Sequence, residues 1–327
     1  MPDPRTHQKY DALIESCRAL TPVATAVAHP CDESSLAGAL QAAQAKIIKP
    51  ILVGPEERIR ALAAASHLDL AGLDLVNAQH SHESAEKAVA LVRAGEAHAL
   101  MKGSLHTDEL MAEVVRKDIG LRTERRISHV FVMDVPTYPK PLFITDAAIN
   151  IFPTLEDKVD ILKNVIGLAH ALGLKSPKVA ILSAIETITS KIPSTIDAAA
   201  LCKMADRGQI SGALLDGPLA LDNAISLQAA QIKHIESPVA GDADILLAPD
   251  LEAGNILAKE LVFLANADAA GIVLGARVPI ILTSRADNVR ARMASCAVAS
   301  LYAQAARMTS LKAEDYRSRD AAQAKRP

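Results

Sequence analysis

The sequence predicts an α/β protein with two domains, each built on a mostly parallel β-sheet. Three observations indicate this fold class. Short apolar runs alternate along the chain with stretches of about a dozen or more residues that have helical periodicity. The chain has 327 residues, which is long for a single hydrophobic core. Aromatic residues make up only 2% of it, so its cores must be aliphatic, which suits close packing of helices on sheets.

Short apolar runs bounded by turn residues are typical of buried parallel strands. Helical stretches separate most of these runs, and this alternation predicts crossover helices between parallel strands. The ten predicted strands are Pro50–Val53, Leu73–Val76, His98–Met101, His129–Val135, Leu142–Thr145, Val179–Leu182, Gly212–Leu215, Ile245–Leu247, Ile272–Leu274 and Ile280–Leu282.

The clearest predicted helix follows Thr154. Apolar residues recur at steps of four and three from Leu155 to Ala169, which places them on one helical face. Thr154 is the predicted N-cap, Asp157 completes a capping box, and Gly173 ends the helix.

Two further helices are predicted. One begins at Ser194, with Asp197 in the capping position, and ends before Gly208. The other begins near Ala286 and continues past Ser300. The best candidate domain boundary lies near residues 150–153, where a strand gives way to the strongly capped helix, and a second lies near residues 266–270, where helix gives way to strand. If the chain crosses out and back between them, one domain is discontinuous.

Composition excludes several classes of function. The formal net charge of −3 gives no electrostatic basis for binding nucleic acid. Arg122, Arg125 and Arg126 form a basic cluster near Glu124, but no aromatic residues alternate with them to stack on bases. No uncharged apolar run reaches the roughly 18 residues of a membrane span. We therefore expect a cytoplasmic protein that binds neither nucleic acid nor membrane.

The four cysteines carry no pattern of disulfide or metal chemistry. They show no CxxC pair and no histidine at metal-ligand spacing, so neither a disulfide framework nor a metal site is predicted. Each is expected to be a small buried apolar residue rather than a nucleophile. They are Cys17, Cys31, Cys202 and Cys296.

Ligands of open α/β sheets bind at the carboxyl ends of strands, so polar residues at strand exits are the site candidates. After the last predicted strand come Thr283, Ser284 and Arg285, which would suit an oxyanion at a helix N-terminus. The alternative is a capping box, with Ser284 as N-cap and Asp287 three residues on. Spacing alone does not decide between them.

A second exit is Lys102-Gly103-Ser104, where Gly103 would let an anion approach the backbone. The upstream glycine spacing of a Walker A loop is missing, and a plain loop is the alternative. A third exit is Asp216-Gly217-Pro218, for which a turn is a sufficient explanation.

The remaining polar exits have simple structural explanations. The acids after Pro249 suit the first turn of a helix, and the stretch from Asp146 to Asn150 suits a loop. His129 lies in an apolar strand, where a satisfied structural histidine is favoured over a catalytic one.

Five stretches taken together resemble the phosphate acetyltransferase and phosphate butyryltransferase family. The resemblance extends from about residue 42 to residue 305, with the motifs in order, which makes the combination specific. The stretches are LMKGSLHT at Leu100–Thr107, STIDA at Ser194–Ala198, DGPLALDNAIS at Asp216–Ser226, PDLEAGNI at Pro249–Ile256 and TSRAD at Thr283–Asp287.

The resemblance implies a fold and a reaction. The fold is two three-layer α/β domains with an interdomain cleft, related to the isocitrate and isopropylmalate dehydrogenases. The first domain would comprise residues 1–149 plus 273–327, and the second residues 150–272. The reaction is acyl transfer between coenzyme A and inorganic phosphate through an acyl phosphate. Coenzyme A is then a substrate, no cofactor or metal is needed, and the protein is a homodimer.

The resemblance also implies roles for particular residues. Ser284 and Arg285 would be catalytic and bind the phosphate of the acyl phosphate. Asp287, the acid nearest to Ser284 in the chain, is our own first candidate for the base, with Asp216 behind it. The acetate-forming branch of the family carries an acid seven residues after this serine, where this chain has Ala291. The predicted substrate-binding residues are Thr283, Lys102, Gly103, Ser104, Arg126 and Asp216.

The Ser-Arg-Ala-Asp form resembles the butyryltransferase branch and the acyltransferase part of hydratase-linked proteins, so the acyl chain length stays open. Two other functions are alternatives. One is a NAD-dependent 2-hydroxy-acid dehydrogenase of the related fold, which the missing metal-site aspartates disfavour. The other is a non-catalytic module that binds coenzyme A or acyl phosphate, which the intact motifs disfavour.

Overall fold

The computed structural model describes residues 8–283 and 289–323. Eleven strands lie in these ranges, and they form one sheet with the order β3-β2-β1-β4-β11-β10-β5-β6-β9-β7-β8. The strands are β1 (Val23–Ala28), β2 (Ile48–Gly54), β3 (Asp74–Asn77), β4 (Ala99–Lys102), β5 (Ser128–Asp134), β6 (Leu142–Thr145), β7 (Lys178–Leu182), β8 (Leu214–Leu219), β9 (Ile245–Leu247), β10 (Asp268–Leu274) and β11 (Ile280–Ile281).

Eleven helices in the described ranges pack against the sheet and against one another. None of them combines the length and the apolar character needed to cross a bilayer. The helices are α1 (Gln8–Cys17), α2 (Glu33–Gln44), α3 (Glu56–Ala65), α4 (Ser81–Arg93), α5 (Thr107–Val114), α6 (Leu155–Ala171), α7 (Pro193–Asp206), α8 (Leu221–Ile225), α9 (Leu227–Ile232), α10 (Leu251–Phe263) and α11 (Val289–Gln323).

The predicted α/β class and the mostly parallel pairing are confirmed. Seven of the ten strand pairs are parallel, and the three antiparallel pairs are β11 with β10, β10 with β5, and β5 with β6. These antiparallel pairs join two parallel blocks, so one continuous sheet replaces the two sheets expected from the sequence. The division into residues 1–149 plus 273–327 and residues 150–272 stays a prediction, as does the likeness to isocitrate dehydrogenase.

Strand β1 was missing from the sequence prediction. Its sequence, VATAVA, is rich in small residues, and its apolar signal is weak. It is nevertheless buried between β2 and β4, and Thr25 is fully buried. The hydroxyl of Thr25 donates to the carbonyl oxygen of Val23 at 2.9 Å, which removes the cost of burying it.

The predicted helix after Thr154 is confirmed as α6. The hydroxyl of Thr154 accepts from the backbone N–H of Asp157, whose carboxylate accepts in return from the N–H of Thr154. Gly173 follows the C-cap with a φ of 94°, the left-handed conformation that favours glycine. Both ends of α6 therefore follow from local sequence.

The predicted cap of the next helix is wrong. Helix α7 begins with Pro193 at its first position, and Ile192, the N-cap residue, has no side-chain capping bond. Asp197 instead accepts a hydrogen bond from the ammonium group of Lys158 at 2.6 Å. Lys158 is buried in α6, so this acid compensates a buried charge and does not cap a helix.

Strand β8 also differs from the prediction. Asp216, Gly217 and Pro218 lie inside β8 rather than in a turn after it. β8 is an edge strand, where proline is tolerated because its missing N–H removes no inner ladder bond. Gly217 is needed there because a Cβ would lie 2.7 Å from the carbonyl oxygen of Ile181 on β7.

Candidate functional site

Three parallel strands bring most of the predicted substrate-binding residues to one edge of the sheet. β1, β4 and β11 are neighbours, with Ala28 level with Lys102 and Ile281 level with Met101. Thr283, which is buried, therefore lies beside the residues that follow β4. Ser284, Arg285 and Asp287 come next in the chain but lie outside the described residues.

Gly103 lets β4 leave the sheet directly against β1. Its N–H donates to the carbonyl oxygen of Ala28 at 2.8 Å. A Cβ at this position would lie 2.4 Å from the carbonyl oxygens of both Ala28 and His29. No side chain can occupy that space without moving the backbone of β1, so the exit requires glycine.

Ser104 ties the same exit to the segment after β1. Its N–H and its hydroxyl both donate to the carbonyl oxygen of His29, each at 2.9 Å. The hydroxyl also accepts from the N–H of Cys31 at 3.3 Å. These bonds show how Ser104 holds the loop, while its contact with substrate stays a prediction.

Lys102 places a buried positive charge at this edge. Its ammonium group donates to the carbonyl oxygens of Gly103 and Leu105, at 3.3 and 3.2 Å. Only 7% of the residue is exposed. A phosphate in the adjoining space would be attracted to this ammonium group.

His29 is a site candidate that sequence reasoning missed, because β1 itself was not recognised. Its φ of 56° is left-handed, which is uncommon for a residue other than glycine. Its Nδ1 lies 3.0 Å from the hydroxyl of Ser84, which donates its one proton to the carbonyl oxygen of His80. Nδ1 must then be the donor, so Nε2 carries the free lone pair.

The charge state of His29 suits a proton acceptor. Burial lowers the pKa of His29, and the nearby guanidinium of Arg58 lowers it further. The carboxylate of Glu109 acts in the opposite direction with a smaller effect. Glu109 Oε2 is buried and has no hydrogen-bond partner among the described residues. Burial therefore favours the neutral imidazole of His29, and the carboxylates of Glu109 and Asp32 act against this.

Arg126 belongs to a different cluster. Its Nε donates to Asn150 Oδ1 at 2.8 Å, and its Nη1 lies 3.4 Å from a carboxylate oxygen of Asp157. Asn150 in turn donates to Asp146 Oδ2 at 2.6 Å. Asp146 is buried and also accepts from three backbone N–H groups, including that of His129. The predicted phosphate ligand Arg126 is thus part of a polar network after β6.

His129 is buried, as predicted, but it is not fully satisfied. Its ring packs edge-on against Phe131 with centroids 4.4 Å apart. Nδ1 has no hydrogen-bond partner in the described part of the chain. Burial lowers the pKa of His129 to about 4, against the opposing charge of Asp146. The ring is therefore neutral at physiological pH.

The predicted substrate-binding residues do not form one cluster. Thr283 is level with Ala270 of β10, and the carbonyl of Arg126 lies against Gly275, which follows the end of β10 and is five residues from Ala270. At about 3.4 Å per residue, Arg126 and Thr283 are roughly 17 Å apart along the sheet. Asp216 is in β8, six strand positions from β11.

Cysteine and metal chemistry find no support in the described residues. Burial raises the pKa of Cys17 and Cys31 to about 11, and that of Cys202 and Cys296 to about 12, so all four are neutral thiols. No group of three or more histidine, cysteine, aspartate or glutamate side chains in residues 8–283 and 289–323 could hold a metal ion. That no metal takes part in the reaction stays a prediction.

Comparison with known proteins agrees with the motifs. Residues 81–300 match the family described as phosphate acetyl/butaryl transferase. The chain is 66% identical over 300 residues to a phosphate acetyltransferase of Rhizobium meliloti, and the alignment covers 92% of this chain and 95% of that protein. It is 43% identical over 281 residues to a phosphate butyryltransferase of Clostridium acetobutylicum, covering 86% and 93%.

A solved structure has the same overall fold. The crystal structure of a branched-chain phosphotransacylase from Enterococcus faecalis superposes with a TM-score of 0.76 and 30% sequence identity. The match covers 86% of this chain and 99% of that one. The similarity therefore extends over most of the chain rather than one motif.

Proposed function

The chain belongs to the phosphate acetyl/butaryl transferase family, and we propose that it transfers an acyl group reversibly between coenzyme A and inorganic phosphate. The 66% identity to a phosphate acetyltransferase over nearly the whole chain carries this proposal. The position of Thr283 beside the buried charge of Lys102 supports it, because an anionic substrate needs such an edge.

Acetyl is the proposed acyl group. The relative at 66% identity carries the acetyltransferase name, whereas the butyryltransferase is 43% identical. The Ser-Arg-Ala-Asp form of residues 284–287 pointed towards the butyryl branch, so chain length needs direct measurement. Propionyl and butyryl groups are the competing substrates.

In the proposed reaction, the thiol of coenzyme A attacks the carbonyl carbon of the acyl phosphate. The thiol proton goes to a base, a carbon–sulfur bond forms, and the bond from carbon to the phosphate oxygen breaks. Arg285 would neutralise the phosphate, and Ser284 would donate a hydrogen bond to an oxygen of the acyl phosphate. Positioning the two substrates supplies much of the rate gain.

Asp287 is the proposed base, and His29 is the alternative that the described residues offer. Asp216 is disfavoured because β8 lies six positions from β11 in the sheet. His29 follows β1 at the same edge as Thr283 and has a free lone pair on Nε2. Arg126 as a phosphate ligand stays a prediction, and its place before the amino end of β5 puts it away from Thr283.

A cytoplasmic homodimer is part of the proposal. Helix α10 exposes Ile256 and Phe263, seven residues apart on one face, with 65% and 76% of their surfaces accessible. Phe263→Lys should convert the dimer to a monomer in light scattering. Phe152, which is also 76% exposed, provides the matched control, and Phe152→Lys should leave the mass unchanged. A monomeric wild type would contradict the assignment.

The reaction is tested by release of free thiol from acetyl-, propionyl- and butyryl-CoA in the presence of phosphate. Arsenate in place of phosphate removes the back reaction. Arg285→Ala should lose most of the activity, and Arg18→Ala, an exposed arginine on the N-terminal side of β1, should keep it. Failure of all three thioesters with a folded protein would refute the proposed function. Reduction of a nicotinamide cofactor by a 2-hydroxy acid would favour the dehydrogenase alternative.

A further inference from the structure

A cavity of about 500 Å³ opens at the end of the sheet opposite Thr283. Two loops form its floor, residues 121–126 before β5 and residues 275–277 after β10. The loops are joined because Arg277 N–H donates to the carbonyl oxygen of Leu121 at 2.9 Å and Thr123 Oγ1 donates to that of Gly275 at 2.6 Å. Helices α6 and α11 complete the wall.

Three arginines line this cavity, and one acid accompanies them. Arg122, Arg125 and Arg277 are exposed, and none of their guanidinium groups makes an ion pair with a residue in the described ranges. Glu124 contributes the single carboxylate, so the lining carries a net charge of two positive units. Arg125 also acts on Tyr302 of α11: burial raises the pKa of this phenol, and the charge of Arg125 opposes the rise.

A buried amide at the cavity, that of Asn164, is a second and independent indication of a binding site. It lines the cavity from α6 and is only 1% exposed. Its Nδ2 donates to the carbonyl oxygen of Arg126 and to the hydroxyl of Ser128, both at 2.9 Å. Its Oδ1 is buried without a hydrogen-bond partner among the described residues. A buried acceptor without a donor is costly, and a ligand hydroxyl would relieve that cost.

We propose that this arginine pocket binds a small phosphorylated metabolite that carries a free hydroxyl, at a site separate from acyl transfer. Guanidinium groups bind phosphate in bidentate pairs, and three of them suit a ligand with two or more negative charges. The volume of about 500 Å³ suits a ligand of the size of a sugar bisphosphate or a nucleotide. Asn164 Oδ1 would accept a hydrogen bond from the ligand hydroxyl.

The pocket is well placed to influence the transfer site. It lies roughly 17 Å along the sheet from Thr283, too far for one phosphate to contact both. Helix α11 begins at Val289, shortly after Ser284 and Arg285 in the chain, and carries Tyr302 to the pocket. One helix therefore connects the bound metabolite with the proposed catalytic segment.

Calorimetric titration of the intact protein with fructose 1,6-bisphosphate and with ADP tests the proposal. At least one of the two should bind, fructose and adenosine should not, and pyrophosphate should bind more weakly because it lacks the hydroxyl. Replacing Arg122, Arg125 and Arg277 together by alanine should weaken binding about tenfold or more. The matched control replaces three exposed arginines elsewhere, Arg18, Arg60 and Arg116, and should leave the affinity within about twofold.

The activity of the same variants separates this site from the substrate site. The KM for coenzyme A should be the same in wild type and in the pocket variant. A parallel rise in that KM would show that the arginines belong to the substrate site and would overturn the proposal. So would binding of neither probe, or equal affinity in the wild type and the pocket variant. Asn164→Ser, which keeps a hydroxyl acceptor, should bind the probes more tightly than Asn164→Leu.

Discussion

The close approach of β4 to β1 at Gly103 can be tested by one methyl group. In Gly103→Ala, the new Cβ would lie 2.4 Å from two carbonyl oxygens, those of Ala28 and His29, where van der Waals contact begins at about 3.4 Å. Both oxygens belong to the backbone of β1 or its exit, and β1 is paired on both sides. No rotamer change can relieve the clash, so the strands must separate by about 1 Å.

The expected cost follows from that separation. Overpacking of this kind costs about 1–3 kcal/mol, and stretching the 2.8 Å bond from Gly103 to Ala28 adds about 1 kcal/mol. Alanine also lowers the conformational entropy of the unfolded chain, which offsets about 0.4–1 kcal/mol of this cost. The net loss is about 1–3 kcal/mol, or a fall in Tm of roughly 1.5–4.5 °C for a chain of this size. Turnover should also fall, because the loop after β4 moves.

Gly167→Ala is the matched control. Gly167 lies inside α6, and nothing approaches within 4 Å of its Cβ position. Alanine there should stabilise the protein by about 0.5–1 kcal/mol, because it favours the helix. Stability is measured by urea unfolding and activity by thiol release, both on the two variants and the wild type. If Gly103→Ala is as stable and as active as wild type, the close approach of the two backbones is refuted.

Three further experiments test the buried groups and the base. Asp197→Ala should lower the free energy of unfolding in urea by about 2–4 kcal/mol, because it leaves the buried ammonium of Lys158 without its acid. Loss of a helix cap would cost only about 1 kcal/mol. Adding Lys158→Met should recover part of the loss. His129 is neutral in the fold, with its pKa lowered from 6.5 to about 4, so the unfolded chain binds the extra proton between these values. The contribution of neutral His129 to the free energy of unfolding is therefore complete above pH 6.5 and falls by up to about 3 kcal/mol towards pH 4. The free energy of unfolding of His129→Leu should lack this part of the pH dependence. Asp287→Asn should lower kcat by about 100-fold or more, and His29→Asn by less than about tenfold; the opposite order would identify His29 as the base.

Features set by neighbouring residues could be predicted from the sequence. Helix α6 is the clearest example, since its capping box and its terminal glycine are both local signals. The exits of β4 and β11 were also recognisable, because an apolar run followed by lysine, glycine or hydroxyl residues stands out. That the two exits are adjacent follows only from the pairing of strands far apart in sequence.

Features set by distant residues could not be predicted. Asp197 has the spacing of a cap, but the buried charge of Lys158 lies on another helix, 39 residues away. Arg126 was expected near phosphate, but its partners come from the segment after β6 and from α6. Strand β1 was missed because alanine and threonine weaken its apolar signal, and His29 was lost with it. In each case a tertiary contact outweighs the local pattern.

Strand direction explains why the polar exits divide into two groups. β5 runs in the direction of β11, because both are antiparallel to β10, and β6 runs in the opposite direction. The block β3-β2-β1-β4-β11 therefore directs its carboxyl ends to one edge, and the block β6-β9-β7-β8 directs its own to the other. Each edge collects a polar cluster, with Lys102 and Thr283 at the first and Asp146 at the second. A sheet with this reversal offers two separate edges for ligands, which is why an anion pocket at the amino end of β5 is compatible with acyl transfer beside β11.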